Sequence, residues 1–387
     1  MKKYIGNPFF LYSVSWVIVL FLYQFKWTSL YPDLDSSLIG FLIVSSLVSL
    51  LFAVIYSKKC QFVKLKNPNI FYYRIIKLVR ITYLLLFCDC LFSGTFPFID
   101  YLRGADMGLY KEVGIPFLHV IVINMDALLF YLSAYCYFSI RTRKNKFIIP
   151  MLLTLLCPLV YMNRGETMFL LFGFFMMYLM QSKQIAKKIL TVIPVALFVV
   201  YLFGMLGNIR SNDATGNFIL NLGGASDEFV NSGVPHEFFW GYLYTVTPLG
   251  NLQNAINNKK HFQSKGSGPD IVFVHEILPK FISKRLNVPV PNSENYRVVY
   301  SLNVGTTYFD SYIIYGWLGM WMVYSAIMAY CVFMLKTIPF NSIFRIPLLC
   351  LLSTITFFSL FSNMITFMAF FPQLVFIFLY RKKCLAN

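Results

Sequence analysis

Long apolar runs separated by short polar and basic segments set the pattern of this chain. Runs of about 16 to 25 residues with almost no Asp, Glu, Lys or Arg are each long enough to cross an apolar slab of ~30 Å as a helix. Ten such spans can be drawn: Pro8 to Phe25, Leu38 to Tyr56, Ile81 to Phe98, Pro116 to Ile140, Phe147 to Met162, Thr167 to Met180, Ile189 to Leu206, Tyr312 to Leu335, Ile346 to Phe361 and Met364 to Tyr380. The continuous runs lack the short, alternating, turn-bounded segments of a membrane β-barrel. The pattern predicts an all-α polytopic integral membrane protein in three parts. Residues 1–206 carry spans one to seven, 207–311 form one long loop, and 312–387 carry spans eight to ten and a short tail.

Composition sharpens this. Of 387 residues, 58% are hydrophobic and 13% charged, about half the charged share of a soluble domain, so a single soluble globule is excluded. The formal charge of +17 is unevenly placed: 21 of the 33 Lys and Arg fall in alternate connecting segments and the two termini, with no acidic residue among them. That asymmetry puts both termini on the cytoplasmic side and reads the basic excess as topology rather than as a nucleic-acid surface. The eight cysteines show no metal-type spacing beyond Cys88-x-Cys90, so neither disulfides nor zinc is expected. The start, MKKYIGNPFF, resembles a signal peptide, but no small-residue cleavage site follows, which predicts a retained first helix.

The long loop would lie outside, and loops of that size are commonly functional. Its aromatic stretch Glu237 to Ile256, broken by Pro248 and Gly250, predicts an interfacial or re-entrant helix, with a pair of crossings as the alternative. The tight hairpin Asn163-Arg164-Gly165-Glu166 sets Arg164 at the outer surface, and Arg210 stands at the same level where the loop begins. Two guanidiniums at one depth suit a lipid-linked pyrophosphate, though Arg164 could equally be an interfacial residue paired with Glu166. Arg297 and Arg285 are weaker candidates, because Lys280, Lys284 and Arg285 read as a solvated basic face. The loop also holds His236, Glu237, His261, His275, Glu276, Glu294 and Asp310, any of which could serve as general base toward a sugar hydroxyl or be structural. No metal motif is present: His275-Glu276 lacks a second His four residues on, and Asp33-Leu34-Asp35 reads as a helix cap. Within the spans, Asp89, His119 and Asp126 are either hydrogen-bonded bundle residues or a polar pathway.

These features together resemble the Wzy-type polymerases of O-antigen and related surface polysaccharides. The resemblance covers most of the chain. It rests on about ten spans, one large late outer loop, Arg164-Gly165 at an outer hairpin, Arg210 at the next helix mouth, the aromatic run to Pro248 and Asn251, and the motifs Asn303 to Tyr308 and Tyr315 to Gly319. It implies a GT-C-like fold in the bacterial inner membrane and a metal-independent glycosyltransferase working at the periplasmic face without a cofactor. An undecaprenyl-pyrophosphate-linked oligosaccharide would be moved en bloc onto a second lipid-linked repeat unit, with a separate co-polymerase setting chain length. The family's loop motif, Arg and Gly separated by ten residues, is not matched at Arg210, where the next glycines are Gly216, Gly223 and Gly224.

Combined with the residues, the resemblance assigns pyrophosphate binding to Arg164, Arg210 and Arg297, and ranks His275, Glu276, His261, Asp310 and Glu237 as candidate bases. Trp240, Tyr242, Tyr244 and Tyr308 suit stacking on sugar rings, and an interfacial aromatic belt explains outer Trp and Tyr equally well. An O-antigen ligase shares the architecture and donor. From another class, a lipid-linked oligosaccharide flippase or transporter would use Asp89, Asp126 and His119 for coupling.

Overall fold

A computed structural model describes residues 4–57, 62, 67–103, 114–115, 117–140, 144–211, 213, 215–258, 268–289 and 292–381, without the side chains of Tyr101, Leu102 and Arg210. His261, Cys60, Cys384 and the basic residues Lys58, Lys59, Lys64, Lys66, Arg141, Arg143, Lys382 and Lys383 lie outside the described residues.

The protein is a helical membrane protein, and its helices start and stop where local chemistry dictates. The first two are α1 (Pro8–Tyr23) and α2 (Ser36–Ile55). Asn7 caps α1 by accepting from the N–H groups of Phe9 and Phe10 at 3.0 and 3.4 Å, with Pro8 in the first turn. Asp35 caps α2 through Ser37 at 2.7 Å, as the acidic pair Asp33 and Asp35 led us to expect. Then come α3 (Pro68–Ser93), α4 (Pro97–Leu102), α5 (Leu118–Ser139), α6 (Ile148–Val160), α7 (Arg164–Gln181) and α8 (Ile185–Arg210). α3 begins thirteen residues before the predicted span, because a helix continues past the apolar slab while Arg74, Lys77 and Arg80 reach toward water. Asn163 caps α7, its Oδ1 accepting from the Glu166 N–H at 3.2 Å, and its amide also donates to Glu166 Oε2 at 3.3 Å.

The long loop folds into α9 (Asn217–Leu222), α10 (Asp227–Val230), α11 (Glu237–Asn257), α12 (Pro269–Val272) and α13 (Lys280–Ser283), with a π-helical turn over Phe273–Ile277. α11 runs unbroken through Pro248 and Gly250. It lies alongside the connection between α1 and α2: Trp27 donates its N–H to Tyr242 at 3.0 Å, Tyr31 its hydroxyl to Thr247 at 2.8 Å, and Asp35 its N–H to Gln253 at 2.8 Å. These contacts hold residues 242–253 of α11 along that connection. Gly250 permits the closeness, since a Cβ there would stand 2.3 Å from the Tyr31 ring.

The chain closes with α14 (Phe309–Thr337), α15 (Arg345–Phe357) and α16 (Phe371–Tyr380). α14 bends at Tyr315 and Gly316, where Gly316 takes φ 61 and ψ −146, a conformation open essentially to glycine alone. The predicted tenth span is corrected: of residues 364–380 only 371–380 are regular α-helix, about 15 Å long, because 361–370 turns and directs Asn363 at a loop backbone.

The core lies among α1, α5, α14 and α15, with one face of α2. α15 is buried almost throughout, whereas α8 is exposed over much of its length apart from the face around Phe203, Gly204, Gly207 and Asn208 that packs on α11. Hydroxyls pin the core helices together. Tyr12 donates to Ser45 at 3.0 Å and shares a 2.5 Å hydrogen bond with Tyr308, and Tyr324 donates to the Ser45 carbonyl at 2.9 Å. Among the described residues four helices, α2, α5, α8 and α14, are each long and apolar enough to cross a membrane.

Candidate functional site

The long loop and the last third of the chain meet in a cluster of ionisable side chains. A π-helical turn widens the backbone by one residue per turn and often marks a functional position, and here it carries His275 and Glu276. Asn363 holds this turn twice: its amide donates to the Glu276 carbonyl at 2.6 Å and to Glu276 Oε2 at 3.0 Å. Burial, reinforced by the neighbouring Asp310 carboxylate, pushes the Glu276 carboxyl up to about 8. Asp310 stands in the first turn of α14, ahead of the Gly316 bend, hydrogen-bonded to the Ser293 side chain and flanked by Lys280, Arg297 and His275. His275 has a ring nitrogen 3.2 Å from the Val288 carbonyl. Arg297 lies 3.8 Å from Glu294, and its buried Nε has no hydrogen-bond partner among the described residues.

Two neighbouring carboxyls, both raised from their ordinary range chiefly by burial and set among cations, are suited to acid–base chemistry on a hydroxyl. The expectation that the loop supplies such a group falls on residues the fold brings together: His275, Glu276 and Asp310 are neighbours, and Arg297 joins them. Among the described residues no group of three or more His, Cys, Asp or Glu could hold a metal ion.

A second cluster forms where α7, α8 and α11 meet. The Arg164 guanidinium lies 5.2 Å from the centroid of Phe203, which meets Tyr244 edge-on at 5.1 Å. Tyr244 lies 6.4 Å from Trp240, whose indole N–H donates to Asn208 Oδ1 at 2.6 Å. Gly204 and Gly207 of α8 let α11 approach this closely, since Cβ atoms there would meet the Glu237 carbonyl at 2.0 Å and the Trp240 ring at 2.6 Å. Glu237 opens α11 in this cluster, away from the π turn. The Arg210 backbone ends α8 two residues beyond Asn208, and its side chain lies outside the described residues, as does His261. One turn into α7, Phe169 packs on Phe358 and Phe370, which bracket Asn363. Both clusters thus border the same end of the bundle.

Tyr308 is corrected as a sugar platform. It is 0% exposed, stacked on Trp16 and hydrogen-bonded to Tyr12, so it has no face to offer. Trp240 and Tyr244 remain half-buried. Lys280, Lys284 and Arg285, read as a solvated basic face, are exposed. Two features escaped the sequence reading. Asn363 sits in an apolar run, where a polar residue between two drawn spans is a weak signal. A cavity of about 410 Å³ forms between Tyr23, Tyr31, Asp33, Glu228 and Tyr242, residues far apart in sequence; there Lys26 pairs with Asp33 at 2.8 Å.

Deeper in the bundle Asp89 is fully buried and satisfied, accepting from the Ile115 N–H at 2.7 Å and the Tyr161 hydroxyl at 2.7 Å, with His119 Nδ1 at 2.9 Å. That arrangement matches the hydrogen-bonded bundle residue rather than an open pathway. Asp126 is buried beside Cys157 and Glu166. The described cysteines Cys88, Cys90, Cys136, Cys157, Cys331 and Cys350 are all free.

No family model, curated protein or solved structure matches the chain.

Proposed function

We propose that this protein is a bacterial inner-membrane glycosyltransferase of the Wzy polymerase type, with both termini cytoplasmic and the reaction at the periplasmic face. The observation that carries the reading is the recessed Glu276 carboxyl beside Asp310, held by Asn363 and flanked by Lys280 and Arg297, at the end of the bundle remote from the basic connections.

In this reading the donor is a saccharide on a lipid pyrophosphate and the acceptor is the terminal hydroxyl of a second lipid-linked repeat unit. The ionised Glu276 carboxylate takes the hydroxyl proton as the new glycosidic bond forms. The bond from the donor's anomeric carbon to the phosphate oxygen breaks, and the lipid pyrophosphate leaves with the electron pair. Arg164, with Arg210 at the neighbouring helix end, neutralises that leaving group, and an arginine fork fits a phosphate better than a lysine does. Trp240 and Tyr244 supply aromatic faces for the glycan.

Purified protein in liposomes, given a lipid-pyrophosphate-linked repeat unit with EDTA present, is expected to yield a product ladder at repeat-unit spacing. Glu276→Gln should lower the rate by about 10²–10⁴-fold, the usual worth of a general base, and Arg164→Lys should also cost most of the activity. Absence of a ladder from wild-type protein with its native repeat unit rules out the polymerase. Transfer only to a lipid A core acceptor would make it a ligase.

A further inference from the structure

A cavity of about 720 Å³ opens between α5, α7 and α8, at the end of the bundle opposite the clusters above. It lies where α5 stops at Ser139, α7 stops at Gln181 and α8 begins at Ile185. α5 and α8 are both long and apolar enough to span a membrane, so the cavity sits at the edge of the apolar slab. Its inner wall is apolar: Phe174, Phe175, Val192 and Val195. Its rim is basic. Lys144 lines it, with Nζ 5.1 Å from the Tyr137 ring centroid. Lys188 lies 3.6 Å from the ring centroid of the lining residue Tyr178 and donates to the Tyr178 carbonyl at 3.3 Å. Among the described residues no Asp or Glu lines the cavity, and Gln181 closes one side by donating to the Phe138 carbonyl at 3.1 Å.

The gap exists because α8 meets α11 at its far end, through Gly204 and Gly207, and stands off from α5 at this one. What fills an apolar crevice at the membrane edge must carry a hydrocarbon chain, and a rim of ammonium groups without a carboxylate selects a negative headgroup. A zwitterionic lipid would bring a quaternary ammonium against the same lysines.

We propose that this crevice is a binding site for an anionic phospholipid, its phosphate at the Lys144 and Lys188 rim and an acyl chain along Phe175, Val192 and Val195. The site does not depend on the polymerase reading, because it uses neither cluster at the other end. Lysines near an anionic headgroup favour it by roughly fivefold each.

Native mass spectrometry of the full chain in a neutral detergent tests this with phosphatidylglycerol, phosphatidylcholine or inorganic phosphate added separately. Wild type should retain phosphatidylglycerol well above phosphatidylcholine, and inorganic phosphate should not displace it. Lys144→Gln with Lys188→Gln should bring phosphatidylglycerol retention down to the phosphatidylcholine level. Val195→Trp, which fills the crevice but keeps both charges, should lower retention of either lipid. Equal retention of the two lipids by wild type overturns the proposal. So does full phosphatidylglycerol binding by the double variant or by Val195→Trp, and displacement by phosphate would reassign the rim to a free anion.

Discussion

At Glu276 two effects act in the same direction. Burial removes the solvation a carboxylate needs, and the nearby Asp310 charge repels a second negative charge, so the proton is held up to about 8. A base works only when unprotonated, so polymerisation should rise with pH through that value, and Glu276→Gln should abolish the rise along with the activity. A pH–rate profile that falls across the same range would make Glu276 the acid instead. Stability follows the opposite sign. The folded state holds the proton more tightly than the unfolded chain, whose Glu titrates near 4.5, so the contribution is fully present below that pH and is lost as pH rises through 8. At this scale the sequence shows which residue types lie in the loop, but not their surroundings. Tyr308 and Tyr244 look alike as aromatic residues of one outer segment, yet one is sealed among Trp16, Phe41 and Tyr12 and the other keeps an open face.

Between residues and fold, single side chains hold the elements that carry the clusters. Asn251 of α11 is fully buried and makes three hydrogen bonds to the segment between Arg297 and Asp310: its amide donates to the carbonyls of Leu302 and Val304 at 3.0 and 2.9 Å, and its Oδ1 accepts from the Val298 N–H at 3.1 Å. Asn251→Ala leaves those groups unsatisfied and is expected to cost about 2–4 kcal/mol, read as a lowered melting temperature in detergent. Asn251→Asp keeps the acceptor but not the donor and should recover little. Gly316 acts differently. Its backbone conformation lets the first turns of α14 diverge from the rest, which sets where Asp310 emerges. Gly316→Ala should cost about 1–3 kcal/mol and lower transfer rate more than donor binding, since it moves Asp310 and leaves the Arg164 cluster alone. The apolar pattern located α14 but could not show the bend, because hydrophobicity marks depth in the membrane and not backbone direction. The same limitation made Met364 to Tyr380 look like one span, when its first seven residues, 364–370, turn before α16 begins.

For the molecule as a whole, the apolar pattern and the placement of basic residues were the most legible features, because each reports on a solvent rather than on a particular contact. Pairs of helix ends agree with that pattern. Lys146 donates to Asn69 at 2.5 Å and Gln181 to Phe138 at 3.1 Å, which joins the start of α3, the end of α5 and the end of α7 at one basic end. At the opposite end Thr28 donates to Gly223 and Ser226 to Trp27. What binds these ends across the bundle is long-range, and no local motif announces it: the cap is made from residues some 200 positions apart. The sidedness has a direct test. In a cysteine-free background, Ser232→Cys and Asn145→Cys both place a thiol at an exposed position, on the cap and on the connection between α5 and α6 respectively. In spheroplasts a membrane-impermeant maleimide should label the first at once and the second only after permeabilisation. Labelling of both without permeabilisation would contradict the sidedness that positive residues impose. Labelling of Asn145→Cys alone would invert it, placing Glu276 and Asp310 in the cytoplasm, where a periplasmic polymerase has no use for them.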